Sequence, residues 1–467
     1  MTSSLAASLV KPNRMIALAT TITAAVLFII TPPVGVPPDA LKGAALGLFA
    51  VGLYGTVALP EHLTALLFFT IAMVFAVAPA SVVFSGFHSG AFWLVFGGLV
   101  VGVAVQKTGL GVKLATAVTS RLPSNYPSMV IGVAAVGLGL AFVMPSTMGR
   151  VVLLTPIVVA LCDHLNYEAG SRERTGLILA MACGTWMPSS GILPSNVPNM
   201  VLVGVAETLF GMTFTYGDYM LTHMPVNGLT KLVLIIGLVM VLFPGRRGSH
   251  AAPAPDKTPL SADGRKLAVI LALTLGFWVT DFIHGISPAW VALAAAVACL
   301  WPSIGLVSGD DLRTKVNFPT TFYVASILSL GAVLVETGAG DFLGGWMLHH
   351  LPLDPEAPFT SFYAVVGLGA LVNMASTAPS VPAILGPLAD ELATGSGIPL
   401  RTIMMTQVIS YSTVVLPYQV PPVIVAMQLG GVSMRDGAKM TLALAAISLL
   451  VLVPLNYLWW SWLGIMG

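Results

Sequence analysis

The chain of 467 residues is 56% hydrophobic and only 8% charged, with 20 basic and 19 acidic residues and a mean hydropathy of +0.91. A soluble protein needs roughly a quarter of its residues charged to cover its surface, so most of this surface is expected to face lipid. The net charge of +1 excludes a broad electrostatic footprint for nucleic acid.

Cysteine and histidine usage predicts neither a disulfide framework nor a metal centre. Cys162, Cys183 and Cys299 all lie in apolar context, and the eight histidines are scattered apart from His349 and His350. The sequence has no phosphate-binding loop and no soluble domain large enough to hold one, so ATP-driven transport is not expected. No cofactor is predicted, and Na⁺ as a coupling ion is left open.

Apolar segments suited to crossing a membrane follow one another along the chain. The first comes after Lys11 and Arg14 and lacks a small-residue cleavage pattern, so a retained helix with a cytoplasmic N-terminus is predicted. The predicted spans are 15–31, 41–58, 62–80, 127–145, 149–165, 174–206, 228–243, 264–282, 288–302, 361–392, 402–430 and 438–464.

Two further apolar stretches, 84–106 and 318–335, contain glycines and end in matching polar phrases. The phrases are Lys107-Thr108-Gly109 and Glu336-Thr337-Gly338. Both stretches are predicted as re-entrant hairpins, with ordinary glycine-containing spans as the alternative. Lys107 and Glu336 are expected at the membrane interface.

The least apolar stretch, 244–266, divides the chain into two halves. Its basic residues favour the cytoplasmic side; they are Arg246, Arg247, Lys257, Arg265 and Lys266. The first half, 1–243, is expected to comprise scaffold spans at 15–80 and a transport part at 84–206. The second half, 267–467, is expected to comprise a hairpin at 318–340 and a transport part at 361–430.

The two halves repeat short motifs in the same order at a spacing of roughly 223–230 residues, as expected of an internal repeat. Thr64-Ala65-Leu66 matches Val291-Ala292-Leu293, the two polar phrases match each other, Ser146 to Val151 matches Ser376 to Val381, and Ser189 to Pro198 matches Ser412 to Pro421. With four spans between the Ser-Thr motifs and a hairpin at 318–335, the repeats are predicted to be inverted. An ordinary span at 318–335 would reverse that conclusion.

The repeated motifs place Pro, Gly, Ser, Thr and Asn inside apolar segments, which predicts broken helices. Their free carbonyl groups suit a cation, and the N–H groups at a helix N-terminus suit an anion. The candidate substrate-binding residues are Ser146, Thr147, Arg150, Asn196, Asn199, Ser376, Thr377, Gln419 and Pro421. The candidate residues for a coupling ion are Ser146, Thr147, Ser189, Ser376, Thr377 and Ser412.

Arg150 is the sharpest single candidate because it lies one helical turn past Ser146 and a guanidinium binds carboxylate bidentately. An arginine at membrane depth usually lines a cavity or pathway. A structural ion pair or snorkelling to the interface is the alternative. For the repeated prolines, the alternative is a pair of structural kinks.

At these motifs the sequence resembles the divalent-anion/sodium symporter family of the ion-transporter superfamily, and within it the citrate and dicarboxylate carriers. The resemblance covers nearly the whole chain, including Pro60 through Leu66, Phe96 through Leu110 and both pairs of broken-helix motifs. It implies about eleven spans plus two hairpins. It also implies a homodimer in the inner or plasma membrane and elevator-type transport of dicarboxylates, tricarboxylates or sulfate.

The family's Ser-Asn-Thr motif, aligned from Pro156, falls on Ser146, Thr147 and Met148, and the arginine of the citrate carriers falls on Arg150. This favours a di- or tricarboxylate. The second motif falls near Ser376, Thr377 and Ala378, and the family's Thr-Pro-Pro-Asn falls on 196–199 and more weakly on 419–422. Neither motif keeps its asparagine, which leaves sodium coupling, proton coupling and anion exchange open.

The sequence therefore predicts an all-α polytopic membrane protein that is not an enzyme and carries small organic anions across the lipid bilayer. A carrier of sulfate or an organosulfonate is the first alternative. A channel or a membrane-embedded enzyme is the second, but the chain lacks His-Glu-x-x-His. Its aspartates also lie near predicted span ends: Asp163, Asp281, Asp310, Asp311 and Asp341.

Overall fold

The structure, a computed structural model, describes residues 12–33, 36–56, 58–119, 125–245, 259–348 and 350–467. Of residues 12–14, 118, 119 and 344–348, only the backbone is described. The predictions made for Lys11, Arg246, Arg247, Lys257 and His349, and for the side chain of Arg14, lie outside this description. The proposed limits of the two halves and of the linker stay predictions.

All regular elements among the described residues are helices, as predicted. The chain begins with helices Pro12–Ile29, Ala40–Thr56 and Glu61–Val74. The first two pack closely where Gly52 faces Thr20, because a Cβ atom at Gly52 would lie 2.4 Å from the threonine hydroxyl. Helices Ala262–Val279 and Pro288–Leu300 open the second half.

One order of five elements then occurs in each half. It consists of a long helix, a short helix, a helical hairpin, a broken helix and a helix with a π-helical turn. In the first half, the long helix is Gly90–Thr108, the short helix is Leu110–Thr119, and the hairpin has the arms Tyr126–Gly139 and Thr147–His164. The broken helix has the segments Arg172–Trp186 and Val197–Phe210. The last helix is Tyr216–His223, joined through the π-helical turn Met224–Thr230 to Lys231–Leu242. In the second half, the long helix is Phe318–Glu336, the short helix is Ala339–Leu348, and the hairpin has the arms Pro358–Ala375 and Ser380–Leu385 with Ala389–Ser396. The broken helix has the segments Leu400–Ser412 and Pro421–Gly430. The last helix is Met434–Ile447, joined through the π-helical turn Ser448–Leu452 to Val453–Trp462.

The predicted positions of the hairpins are wrong. Residues 84–106 and 318–335 do not fold back, since Gly90–Thr108 and Phe318–Glu336 are each one uninterrupted helix. The glycine at 97 serves close packing instead, because a Cβ atom there would lie 2.7 Å from the backbone of Ala292. The hairpins are formed by 126–164 and 358–396, which the sequence analysis took for spans.

The outer surface carries many large apolar side chains without a protein partner to cover them. Ile22, Val233, Val241 and Trp462 are exposed among the described residues, each on a long apolar helix. Exposed apolar area on this scale is typical of a surface that contacts lipid. The described residues include six helices long and apolar enough to cross a membrane, by length and composition.

Candidate functional site

The first broken helix is interrupted between Trp186 and Val197. Prolines at 188 and 194 lack the N–H that a continuous helix requires, and two short 3₁₀ turns replace the helix there. The helix restarts at Asn196, whose Oδ1 accepts the N–H of Asn199 at 3.2 Å as an N-cap. We call residues 187–196 the first break.

The second broken helix is interrupted between Ser412 and Pro421, and we call residues 413–420 the second break. Gln419 organises this break, because its Oε1 accepts the N–H groups of Val415 and Leu416 at 2.8 and 2.7 Å. A side-chain carbonyl thereby satisfies backbone donors that have left the helix. Both predicted broken helices are thus confirmed.

Each hairpin tip contacts the break of its own half. At the first tip, residues 143–147, Thr147 Oγ1 donates to the carbonyl of Ser195 at 3.2 Å. At the second tip, residues 376–379, the N–H of Ala378 donates to the carbonyl of Gln419 at 3.3 Å. Because each break lies midway along its broken helix, each tip reaches the middle of the broken helix of its own half.

A cavity of about 360 Å³ lies where the two tips and the two breaks meet. Five of the predicted site residues line it: Ser146, Thr147, Asn196, Gln419 and Pro421. The N-terminal ends of four helical segments, beginning at 147, 197, 380 and 421, converge on it. Helix N-termini carry partial positive charge, so their convergence favours an anion.

Two side-chain amides in this cavity have an unused donor. The amide nitrogens of Asn196 and Gln419 are buried and have no hydrogen-bond partner in the described structure. Their orientation is set by the N–H groups that bind the amide oxygens, since an N–H cannot donate to an NH₂ group. The two residues occupy matched positions in the repeat, so each half places one buried, unpaired amide donor in the wall of the cavity.

Arg150 does not line the cavity. Its fully buried guanidinium donates to three backbone carbonyls and two hydroxyls: Met144 O at 2.5 Å, Ser195 O at 3.0 Å, Thr185 O at 3.1 Å, Thr147 Oγ1 at 3.0 Å and Ser189 Oγ at 3.1 Å. These oxygens belong to the first tip and the first broken helix. The predicted direct contact with substrate finds no support in this geometry, which instead fastens the tip to the broken helix.

Three other predicted substrate-binding residues lie behind the cavity wall. Asn199 donates to the carbonyls of Ser190 and Ile192 and accepts from the hydroxyl of Tyr411 at 2.6 Å. Ser376 donates to the carbonyl of Val372, and Thr377 pairs with Ser380. They shape the breaks and tips, and their neighbours Ala378 and Pro379 line the cavity instead.

Several residues that line the cavity were not predicted from the sequence, among them Glu61, Gln106, Lys315, Asn317 and Tyr323. Glu61 and Lys315 could have been suspected, because each is a charge beside an apolar helix in a chain with few charges. No sequence pattern marks the other three residues. They line the cavity only because helices 90–108 and 318–336 pack against the tips.

An ion-pair cluster lies beside the cavity on the short helix Gly309–Lys315. The Asp311 carboxylate accepts from Lys107 at 2.6 Å and from Lys315 at 2.7 Å. It also accepts from the backbone N–H of Ser308, which is the N-cap residue of the same helix. Lys107 and Lys315, with the Ser308 donors, hold the pKa of Asp311 far below its usual range. The cluster keeps one net positive charge next to the cavity, and the Lys107 side chain is 40% exposed.

Comparison with known families gives a match to the sodium:sulfate symporter transmembrane region over residues 12–466. The chain belongs to this family. Family members are transporters, so the predictions of a polytopic membrane transporter and of no enzymatic activity are confirmed. The described residues include no cluster of three or more metal-ligating side chains.

Related proteins support the same class. A "Membrane protein" of Cupriavidus necator is 24% identical over 399 residues, covering 81% of this chain and 76% of the relative. An "L-tartrate/succinate antiporter" of Escherichia coli K12 is 25% identical over 398 residues, covering 80% and 79%. The YdaH transporter of Alcanivorax borkumensis shares the fold, with a TM-score of 0.57, 17% identity and coverage of 92% of this chain and 100% of that one.

Proposed function

We propose that this protein is a secondary active transporter of small organic anions that carry two carboxylates. The observation that carries the proposal is the pair of unpartnered amide donors, Asn196 and Gln419, in one cavity. Amide N–H groups from opposite halves can each hold one end of a dicarboxylate. The cavity volume of about 360 Å³ suits a small molecule.

The names of the relatives favour carboxylates over sulfate. Tartrate and succinate, named for the Escherichia coli relative, both carry two carboxylates, whereas the family description names sulfate. Transport of sulfate or an organosulfonate is therefore the second candidate function. The substrates of the two candidate functions differ in how their negative charges are spaced. A panel of competing anions therefore distinguishes the two functions.

The order of helices supports inverted halves. Five segments run from the end of the first hairpin to the start of the second: 172–210, 216–242, 262–279, 288–300 and 318–336. An odd number of crossings brings the two hairpins in from opposite faces. We therefore propose that the two halves are inverted, with the hairpins at 126–164 and 358–396 and five crossings between them.

From the same count we expect the cavity to open on the face where the linker lies. The cavity is lined by Glu61 at the start of one helix, Gln106 at the end of another and Asn317 just before a third, and all three points fall on the linker's side. Arg265 and Lys266 at the end of the linker favour the cytoplasm. We place the protein in the cell (inner) membrane with this cavity facing inward, and propose a homodimer with elevator-type alternating access, as the family resemblance implies.

Counterflow in proteoliposomes tests the function. Purified protein is reconstituted into liposomes loaded with unlabelled succinate, and uptake of labelled succinate is measured against competing L-tartrate, citrate, sulfate and an organosulfonate, with and without Na⁺ or proton gradients. Saturable counterflow that dicarboxylates inhibit more strongly than sulfate is expected. Stronger inhibition by sulfate would replace the first candidate with the second, and non-saturable flux would indicate a channel.

A further inference from the structure

Glu61 is the acidic residue in the wall of the cavity. It begins helix Glu61–Val74 directly after Pro60, and it is exposed. Among the described residues that line the cavity, Lys315 is the other one with a fully charged side chain. A carboxylate in a cavity that binds anions opposes this binding, because like charges repel.

The Glu61 carboxylate has no partner among the described residues. None of the ion pairs or hydrogen bonds in this part of the chain involves it. Lys315, the cation in the same wall, directs its ammonium group to Asp311 at 2.7 Å instead. The negative charge of Glu61 is therefore not compensated by an ion pair and acts on whatever occupies the cavity.

The unpaired donors in the cavity wall match two negative charges. Asn196 and Gln419 are the lining residues, among those described, whose buried side-chain nitrogens have no hydrogen-bond partner. Each amide can donate to one carboxylate of a dianion. A third carboxylate finds no further buried amide of this kind in the described wall, and it meets the Glu61 carboxylate in the same enclosed volume.

The size of the cavity makes this repulsion strong enough to select among substrates. A sphere of about 360 Å³ is about 9 Å across, so the charges of a bound anion lie within roughly 10 Å of Glu61. At an effective dielectric constant of about 20, two like charges about 10 Å apart repel enough to weaken binding more than about tenfold. Each added negative charge on the substrate is therefore expected to lower its affinity by about this factor.

We propose that Glu61 acts as a charge filter, which admits organic anions with two negative charges and rejects those with three. The proposal rests on the proposed function and adds to it that tricarboxylates are excluded by charge. Specificity of this kind comes from a repulsive element that penalises the wrong ligand more than the right one. Because a dianion is repelled as well, Glu61 lowers the affinity for every substrate and raises the selectivity between them.

Three related anions separate exclusion by charge from exclusion by size. Full-length protein is reconstituted into liposomes loaded with glutarate, 3-methylglutarate or tricarballylate at pH 8, and the initial rate of labelled succinate uptake is measured. Tricarballylate is glutarate with a third carboxylate on its middle carbon, and 3-methylglutarate has an uncharged methyl group there. An anion that is exchanged for succinate must occupy the cavity in every turnover, whichever way the protein is inserted.

In the wild type, glutarate and 3-methylglutarate should support similar rates, and tricarballylate a rate at least about tenfold lower. Glu61→Gln removes the charge at nearly constant size, so it should raise the tricarballylate rate relative to the glutarate rate at least about tenfold. Glu61→Asp keeps the charge and should keep the selectivity. The exposed Glu336 lies outside the cavity wall and provides the control, as Glu336→Gln should leave all three rates unchanged.

The proposal is overturned if tricarballylate supports uptake as fast as glutarate in the wild type, or if 3-methylglutarate is rejected as strongly as tricarballylate. It is also overturned if Glu61→Gln folds normally, as judged by thermal unfolding in detergent, and keeps the wild-type selectivity. Should Glu61→Gln fail to fold, the comparison of the three anions in the wild type decides. If no loaded anion, succinate included, raises uptake above that of empty liposomes, the proposed function fails rather than the assignment of Glu61.

Discussion

Replacing Asn196 with aspartate separates the two interactions of this side chain. The amide oxygen caps helix Val197–Phe210 through the N–H of Asn199, and the amide nitrogen is the unused donor in the cavity wall. Aspartate caps a helix as well as asparagine does. The Asn196→Asp variant therefore keeps the cap and exchanges only the donor, placing a carboxylate where an anion is expected to bind.

The expected loss of affinity for succinate follows from replacing the amide donor with a carboxylate. A hydrogen bond to a charged group contributes about 1.5–3 kcal/mol, so its loss alone weakens binding about 10- to 150-fold. Repulsion between two carboxylates within a few ångströms adds to the loss. Gln419→Glu should behave similarly, because its Oε1 would still accept from Val415 and Leu416.

Binding is measured as the succinate concentration that half-saturates counterflow, and folding as the thermal unfolding midpoint in detergent. Asn125→Asp is the matched control, because Asn125 caps helix Tyr126–Gly139 outside the cavity. The control should leave both quantities unchanged. If Asn196→Asp and Gln419→Glu fold normally and keep wild-type half-saturation for succinate, the assignment of the anion site to the paired amides is refuted.

Three further predictions concern stability, each measured by thermal unfolding in detergent. Arg150→Met should destabilise the protein by about 3 kcal/mol or more, because several buried oxygens lose their donor; an unchanged midpoint would show that these bonds are dispensable. Gly97→Ala should lower the midpoint, since the new Cβ would meet the backbone of Ala292 at 2.7 Å, whereas Gly237→Ala, with nothing within 4 Å, should not. Asp311→Asn should lower the midpoint equally at pH 8 and pH 5. The lowered folded-state pKa of Asp311 means that its ion pairs stabilise the fold above about pH 3.9, the value in an unfolded chain, and that this contribution is lost only below it. If the gap between the unfolding midpoints of the wild type and Asp311→Asn is smaller at pH 5 than at pH 8, this reasoning is contradicted.

The helical class and the broken helices could be predicted from the sequence because each depends on the chemistry of a few neighbouring residues. Prolines at 188, 194, 417 and 421 interrupt apolar runs in both halves, and helix interruption is a property of the residue itself. Repetition of these marks then identified the halves. Features that depend on local chemistry could therefore be predicted from the sequence.

The hairpins were misplaced because glycine is ambiguous in a membrane helix. At position 97 the missing side chain permits close packing against Ala292, and no turn is formed. The true turns at 143–146 and 376–379 contain residues that also occur in simple kinks. Only the contacts with the breaks, such as Thr147 with Ser195, reveal them.

The role of Arg150 could not be predicted for a similar reason. Its position one turn past Ser146 suggested that both side chains face the substrate, but three of the five oxygens around Arg150 come from residues 35–45 positions further along the chain. A side chain's partners at that separation are set by packing. Lys231 was not singled out, because a lysine at the start of an apolar helix usually places its ammonium group at the membrane interface.

The π-helical turn before Lys231 sets the direction in which that side chain points. Successive residues of an α-helix are rotated by about 100° around its axis, and a π-helical turn accommodates one extra residue. If Met224–Thr230 formed ordinary α-helix without losing a residue, Lys231 would therefore be rotated by about that angle. Its Nζ, which donates to Ser412 Oγ at 2.8 Å, would lose this contact, and the exposed Val233 two positions later would turn toward the interior. The extra residue held in the π-helical turn thus decides whether the Lys231 side chain lies inside the protein or against the hydrocarbon.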